Sequence, residues 1–178
     1  NVYIEIFRGT PMIVQSMVIF YGSAQAFNIS LDRTWAAIFI VSINTGAYMS
    51  EIVRGGILAV DPGQFEAATA LGMTHGQTMR KVVLPQVVRN ILPATGNEFV
   101  INIKDTSVLN VISVVELYFT GNTVATQNYQ YFPTFTIIAV IYFVLTFTIT
   151  RILRYIERRL DSDTYTTGAN QMQVNEVK

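Results

Sequence analysis

Charged residues in this chain are bunched, and the apolar stretches between them predict its elements. Crossing a bilayer takes about 20 mostly apolar residues in a helix. Between Arg8 and Asp32 lie 23 uncharged residues whose apolar part is Pro11 to Tyr21. Thr10 as N-cap and Pro11 as first-turn proline predict a helix start there. Thr34 to Ser50 is a second stretch, of 17 residues, and apolar character resumes at Ile57 to Val60, so Glu51 or Arg54 should sit near the end of that span. The third, Asn90 to Leu117, keeps an apolar frame but contains Glu98, Lys104 and Asp105, so one side of it should face protein or water. The pattern leaves open whether it is one helix or broken near residue 105. The fourth, Phe132 to Thr150, is apolar or hydroxylic throughout and stops at Arg151, Arg154, Arg158 and Arg159, as a membrane span should. Residues 1–160 thus read as a transmembrane domain and 161–178, polar and aperiodic, as a tail that frays.

Composition agrees with a membrane protein. Only 13% of the 178 residues are charged and 51% are hydrophobic, where a soluble domain carries roughly 25% charged residues. Twelve Lys plus Arg balance twelve Asp plus Glu, which leaves no basic field to hold nucleic acid. With no cysteine and a single histidine, His75, thiol chemistry, disulfides and clustered zinc sites are excluded. The opening Asn1-Val2-Tyr3-Ile4-Glu5 has neither the basic region nor the cleavage site of a signal peptide, and reads as the start of a fragment of a longer protein.

Basic residues near span ends remain cytoplasmic, which orients the chain. With Asn1 inside, Arg8, Arg54, Arg80, Lys81, Arg89, Arg151, Arg154, Arg158, Arg159 and Lys178 fall on the inner side and only Arg33 outside, with Lys104 inside a span. Four spans with both ends cytoplasmic follow. Tyr21, Trp35, Tyr129, Tyr131 and Phe132 then cluster at the outer interface, the level amphipathic rings prefer.

The inner connection from Asp61 to Arg89 carries its own helix signals. Asp61-Pro62-Gly63-Gln64 has a capping-box layout, with a helix expected to Leu71 and Gly72 as its left-handed stop. Thr74-His75-Gly76-Gln77 repeats the layout and opens a second helix expected to reach Leu84 before Pro85 interrupts it. Helices this short are unstable alone and must pack on something. Either the pair lies on lipid headgroups, or it docks a cytoplasmic partner through the small Ala67, Ala68 and Gly72 and the charge of Glu66. His75 reads as a solvated or interface residue, and Glu5 with Arg8 as an exposed pair within one helix.

The run Glu66-Ala67-Ala68, three residues, Gly72, nine residues, Val82, one residue, Leu84-Pro85 resembles the EAA loop of the membrane subunits of ABC importers, with Val82 where isoleucine is usual. Phe7-Arg8-Gly9-Thr10-Pro11, Arg54-Gly55-Gly56-Ile57, Leu84-Pro85-Gln86 and Lys104-Asp105-Thr106-Ser107 are similar to the polar amino-acid branch of that family, and the resemblance covers roughly Tyr3 to Arg159. It implies an all-α integral membrane fold, the type I ABC importer transmembrane domain, with four spans here of a five-span subunit whose first helix precedes Asn1. It further implies a multi-pass protein of the bacterial cell membrane with a cytoplasmic C-terminus, moving polar amino acids such as glutamine or glutamate inward. Its implied partners are a second permease chain, identical or different, two copies of an ATPase subunit that hold ATP and Mg, and a solute-binding protein or fused binding domain outside. Glu66, Ala67, Ala68 and Gly72, with Leu84 and Pro85, would be the ATPase-coupling residues. The chain has no Gly-x-x-x-x-Gly-Lys-Ser/Thr loop, so it binds no ATP through that motif, and the resemblance implies that it carries no cofactor of its own.

For the solute pathway, the expense of an acidic side chain at mid-membrane singles out Glu98. At 100° per residue Glu98, Asn102 and Asp105 share an arc of about 60°, a candidate pore face. Glu98 suits the ammonium of a zwitterionic amino acid, and Asn102 or Asn97 its carboxylate, while Asn44, Thr45 and Tyr48 on the second span offer further polar contacts. The competing reading pairs Glu98 with Lys104 or makes it a helix cap, with Asn102 as interhelical glue. Two other functions compete: an intramembrane hydrolase using Glu98 and Asp105, which lacks a second catalytic element, and a channel or sensor whose inner hairpin docks a signalling protein.

Overall fold

The structure is a computed structural model that describes residues 2–176, with side chains described for 2–159. Eight α-helices follow in order among the described residues: α1 (Val2–Gly9), α2 (Met12–Phe27), α3 (Arg33–Leu58), α4 (Pro62–Ala70), α5 (His75–Thr78), α6 (Leu84–Asp105), α7 (Leu117–Asn128) and α8 (Tyr131–Glu176). A π-helical turn (Met79–Val83) joins α5 to α6, and a 3-10 turn (Thr106–Ile112) follows α6.

Among the described residues two helices are long and apolar enough to cross a membrane, α3 and residues 131–159 of α8. The third expected span is broken. The run from His75 to Ile112 and α7 together pass as one span bent by 55°, because the helix tightens at Thr106 and ends at Ser113, whose φ of 61° is left-handed. The first expected span is α2, of 16 residues, or about 24 Å at 1.5 Å per residue. Thr10 does not cap it: its Oγ1 donates back to Ile6 O of α1 at 2.7 Å, and Pro11 occupies the cap position without a side-chain bond. Where the aperiodic tail was expected to fray after Asp161, the backbone of α8 stays helical to Glu176, since extending an existing helix needs no new nucleus.

The chain forms two compact units. The first holds residues up to Glu51 and Glu98–Thr148. Ala36, Ala37 and Ile40 of α3 pack there against Leu109 and Ile112 of the 3-10 turn, bordered by Met12, Ile19 and Phe20 of α2. Asp32 caps α3 through Oδ1, accepting from Thr34 N and Trp35 N at 2.9 and 3.1 Å. Glu116 caps α7, accepting from Tyr118 N and Phe119 N, and Tyr142 of α8 donates its hydroxyl to the same carboxylate at 3.1 Å. Gly121 lets α7 approach α8: a Cβ there would lie 1.9 Å from Ile138 Cδ1. Small residues permit such close backbone approach in membrane helices.

The second unit holds Ile52–Asn97 and the chain from Ile149. Val60, Val83 and Val87 form its core, with Ile57, Phe65, Met79 and Ile91 around them. A Cβ on Gly56 would lie 2.2 Å from Ile91 Cγ2, so glycine is what lets the end of α3 seat against α6. Pro85 does not interrupt the helix, contrary to expectation. The π turn takes in Lys81, whose carbonyl the proline ring would crowd in a regular α-helix, and Leu84 N donates five residues back to Met79 O, so the widened turn absorbs the proline.

Candidate functional site

The hairpin of α4 and α5 belongs to the second unit and is built by its caps. Asp61 accepts from Gly63 N at 2.8 Å with Pro62 at the first helical position. Gln64 does not close a capping box; its Oε1 accepts instead from Gln86 Nε2 of α6 at 3.3 Å. At the other end Met73 N reaches Ala68 O and Gly72 N reaches Thr69 O, at 3.1 and 2.9 Å, with Gly72 at φ +75°: a Schellman stop. The Thr74 box is reciprocal, Thr74 N to Gln77 Oε1 at 2.9 Å and Gln77 N to Thr74 Oγ1 at 3.4 Å.

These caps fix which side of α4 faces out. Phe65 packs on the valine core and Ala68 is buried at 3% exposure, so Ala68 serves the fold and is not open to a partner. Glu66, Ala67, Ala70 and Gly72 are exposed, and Leu71 stands 82% exposed beside them. Leu71 was missed from the sequence, although an apolar residue directly before a helix-stopping glycine was its signal. Leu84 and Pro85 are exposed where the π turn meets α6.

The polar candidates of the spans lie in the first unit, apart from Asn97. Helix α6 is α-helical through Asp105, so Glu98, Asn102 and Asp105 do share a face. Glu98 is buried at 8% exposure, and among the described residues it forms no ion pair with Lys104, which is exposed. Asn102 accepts from Thr45 Oγ1 of α3 at 3.1 Å, which ties the third span to the second. Asp105 and Asn97 are exposed.

Asn44 and Tyr48 are otherwise engaged. Asn44 Nδ2 donates to Gln15 Oε1 at 2.9 Å and to Phe7 O at 3.4 Å. Gln15 Nε2 in turn donates to Phe7 O, Thr10 O and Thr10 Oγ1, each at 2.9 Å. This closed network binds α1 and α2 to α3 and uses the amide that a solute would need. Tyr48 lies under the guanidinium of Arg8, 5.5 Å from ring centre to Cζ, and Arg8 pairs with Glu51 at 3.4 Å, so Arg8 bonds across helices rather than only along α1. Gln15 was invisible to the sequence reading because one glutamine in an apolar run carries no periodic signal. Among the described residues no group of three or more acidic or histidine side chains could hold a metal.

The described residues thus hold helices long and apolar enough to cross a membrane, a buried carboxylate at Glu98 and a capped hairpin with small residues on its outward face, the features of a multi-pass membrane protein. The chain belongs to the family of inner membrane components of binding-protein-dependent transport systems, whose sequence pattern matches residues 1–162. The chain is 41% identical over 160 residues to the glutamine transport system permease protein GlnP of Escherichia coli strain K12, covering 89% of this chain and 73% of that one. It is 38% identical over 161 residues to the arginine transport system permease protein ArtQ of Bacillus subtilis strain 168, covering 90% and 74%. A crystal structure of an amino acid ABC transporter with histidines superposes at a TM-score of 0.84 with 45% identity over 89% of this chain and 73% of that one. The fold is therefore that of a type I ABC importer transmembrane domain, and the chain is a permease subunit of such a transporter.

Proposed function

We propose that this permease moves polar amino acids of the glutamine and glutamate type into the cytoplasm. Two permease chains, identical or different, enclose the pathway, two copies of an ATPase subunit hydrolyse ATP with Mg, and a solute-binding protein or fused binding domain delivers solute from outside. The permease itself holds no nucleotide and has no catalytic residue, and its C-terminus is cytoplasmic. One observation carries the coupling: Phe65 and Ala68 of α4 are turned into the chain's own core. What remains outward is Glu66, the small Ala67, Ala70 and Gly72, and a single large apolar side chain, Leu71; that suits a protein groove better than a lipid surface, since an interfacial helix needs a broad outward apolar face. The relatives named for glutamine and arginine transport support the solute class, and Glu98 supplies the anionic group that a solute ammonium needs. Nothing supports the channel or sensor reading. Co-purification tests the assignment: a stoichiometric ATPase subunit is expected, with ATP hydrolysis that rises on adding solute-loaded binding protein and drives glutamine uptake into proteoliposomes. Solute movement by this chain without an ATPase subunit would overturn it.

A further inference from the structure

Directly after the apolar run of α8 comes Arg151-Ile152-Leu153-Arg154-Tyr155-Ile156-Glu157-Arg158-Arg159. Leu153 and the Glu157 carboxylate turn inward: a Cβ on Gly96 of α6 would lie 3.4 Å from Leu153 Cδ1 and 3.5 Å from Glu157 Oε1. Arg151, Arg154 and Arg158 are all exposed, and at 100° per residue they share an arc of about 60° turned about 110° from the packed face. The acidic residue of the segment thus lies on α6 while the positive charge points out. Neither Arg154 nor Arg158 pairs with a carboxylate of residues 2–159. Between and beside the arginines stand Tyr155 at 57% exposure, with the Arg159 guanidinium 5.1 Å from its ring centre, and Ile152 and Ile156 at 54% and 43%. Exposed aliphatic residues, an aromatic ring and an outward arginine stripe, one turn past a lipid-facing helix, match the level where acyl chains give way to headgroups.

We propose that this stripe of α8 binds the headgroups of anionic phospholipids in the inner leaflet, with Arg154 and Arg158 as its principal ligands. The proposal rests on the cytoplasmic placement of this end in the reading above, but its chemistry does not depend on the solute. Guanidinium groups pair with phosphate bidentately, and Tyr155 with Ile152 and Ile156 seats the stripe at the depth of the phosphates.

The test uses the purified transporter in phosphatidylcholine nanodiscs with increasing fractions of phosphatidylglycerol, reading retained phosphatidylglycerol and melting temperature. Wild type should retain the anionic lipid and melt higher as its fraction rises, with both effects weakening as salt increases. Arg154→Gln with Arg158→Gln should lower apparent phosphatidylglycerol affinity roughly 30-fold, which converts to about 2 kcal/mol for two basic residues at an anionic surface. Lysine at both positions should bind between wild type and the glutamine variant, keeping the charge but losing the bidentate fork. Unchanged retention in the glutamine variant overturns the proposal, as does unchanged retention with loss of the ATPase subunit, which would assign the stripe to a protein surface. Should the glutamine variant fail to fold, salt-independent retention by wild type overturns it equally. Lipid retention is read without transport, so a wrong solute assignment would show in uptake and leave this result standing.

Discussion

Asn44 of α3 and Gln15 of α2 are joined by a buried hydrogen bond of 2.9 Å from Asn44 Nδ2 to Gln15 Oε1, and both side chains bond onward to the end of α1. Three helices that meet only through apolar surface could slide in a bilayer, because lipid tails are as apolar as their side chains. The amide pair gives them one register.

Breaking that pair should therefore be costly. Asn44→Leu leaves Gln15 Oε1 buried without its donor, at a cost of about 1–3 kcal/mol, and Gln15→Leu removes the acceptor of Asn44 Nδ2 and the donor to the Thr10 oxygens. The double substitution should cost less than the two single costs added, because each single change orphans a group that the other removes. Melting curves of the three variants in lipid check this, and strict additivity would contradict the coupled network.

Gly72 should be sensitive through its backbone and not through crowding. Its φ is +75°, yet a Cβ there would meet nothing within 4 Å. Gly72→Leu forces a left-handed branched residue at about 1–2 kcal/mol, which should unseat the end of α4 and lower solute moved per ATP hydrolysed while the membrane helices remain folded. Gly72→Asn should retain more coupling, since asparagine tolerates that conformation. Uptake and ATPase activity measured on the same proteoliposomes decide, and wild-type coupling in the leucine variant would refute the docking role.

Glu98→Gln keeps size and polarity but removes the charge proposed to hold the solute ammonium. Hydrogen bonds to charged groups are worth about 1.5–3 kcal/mol, so apparent affinity should fall by about ten- to a hundredfold, with expression maintained. Uptake against solute concentration beside a melting curve separates the roles. Wild-type affinity with lowered stability would make Glu98 a structural group.

A larger residue at Gly121 should push the Ile138 side chain out of its place. A Cβ would lie 1.9 Å from Ile138 Cδ1 and 2.9 Å from its Cγ1, so Gly121→Val should destabilise by about 1–3 kcal/mol through overpacking. Ile138→Ala in the same chain should recover part of the loss in thermal melting.

The orientation is open to labelling, because the chain lacks cysteine. A cysteine at Asn28 should react with an impermeant reagent on intact cells and one at Gly76 only after permeabilisation. The reverse pattern would overturn the basic-residue reading.

What the sequence determined by itself is what local chemistry dictates. The spacing of charges marks α3 and the apolar part of α8, the cap residues Asp61, Thr74 and Gly72 mark the hairpin, and helical periodicity alone puts Glu98, Asn102 and Asp105 on one face. Each of these follows from residues a few positions apart. The tertiary structure decided everything that depends on which group meets which across helices. It turned Ala68 inward beside Phe65, took Asn44 from the solute candidates into the Gln15 network, paired Arg8 with Glu51, and let a π turn carry the helix through Pro85. None of this is periodic, so no pattern in the chain announces it: a buried amide shows its purpose only when its partner, 29 residues away, is folded against it.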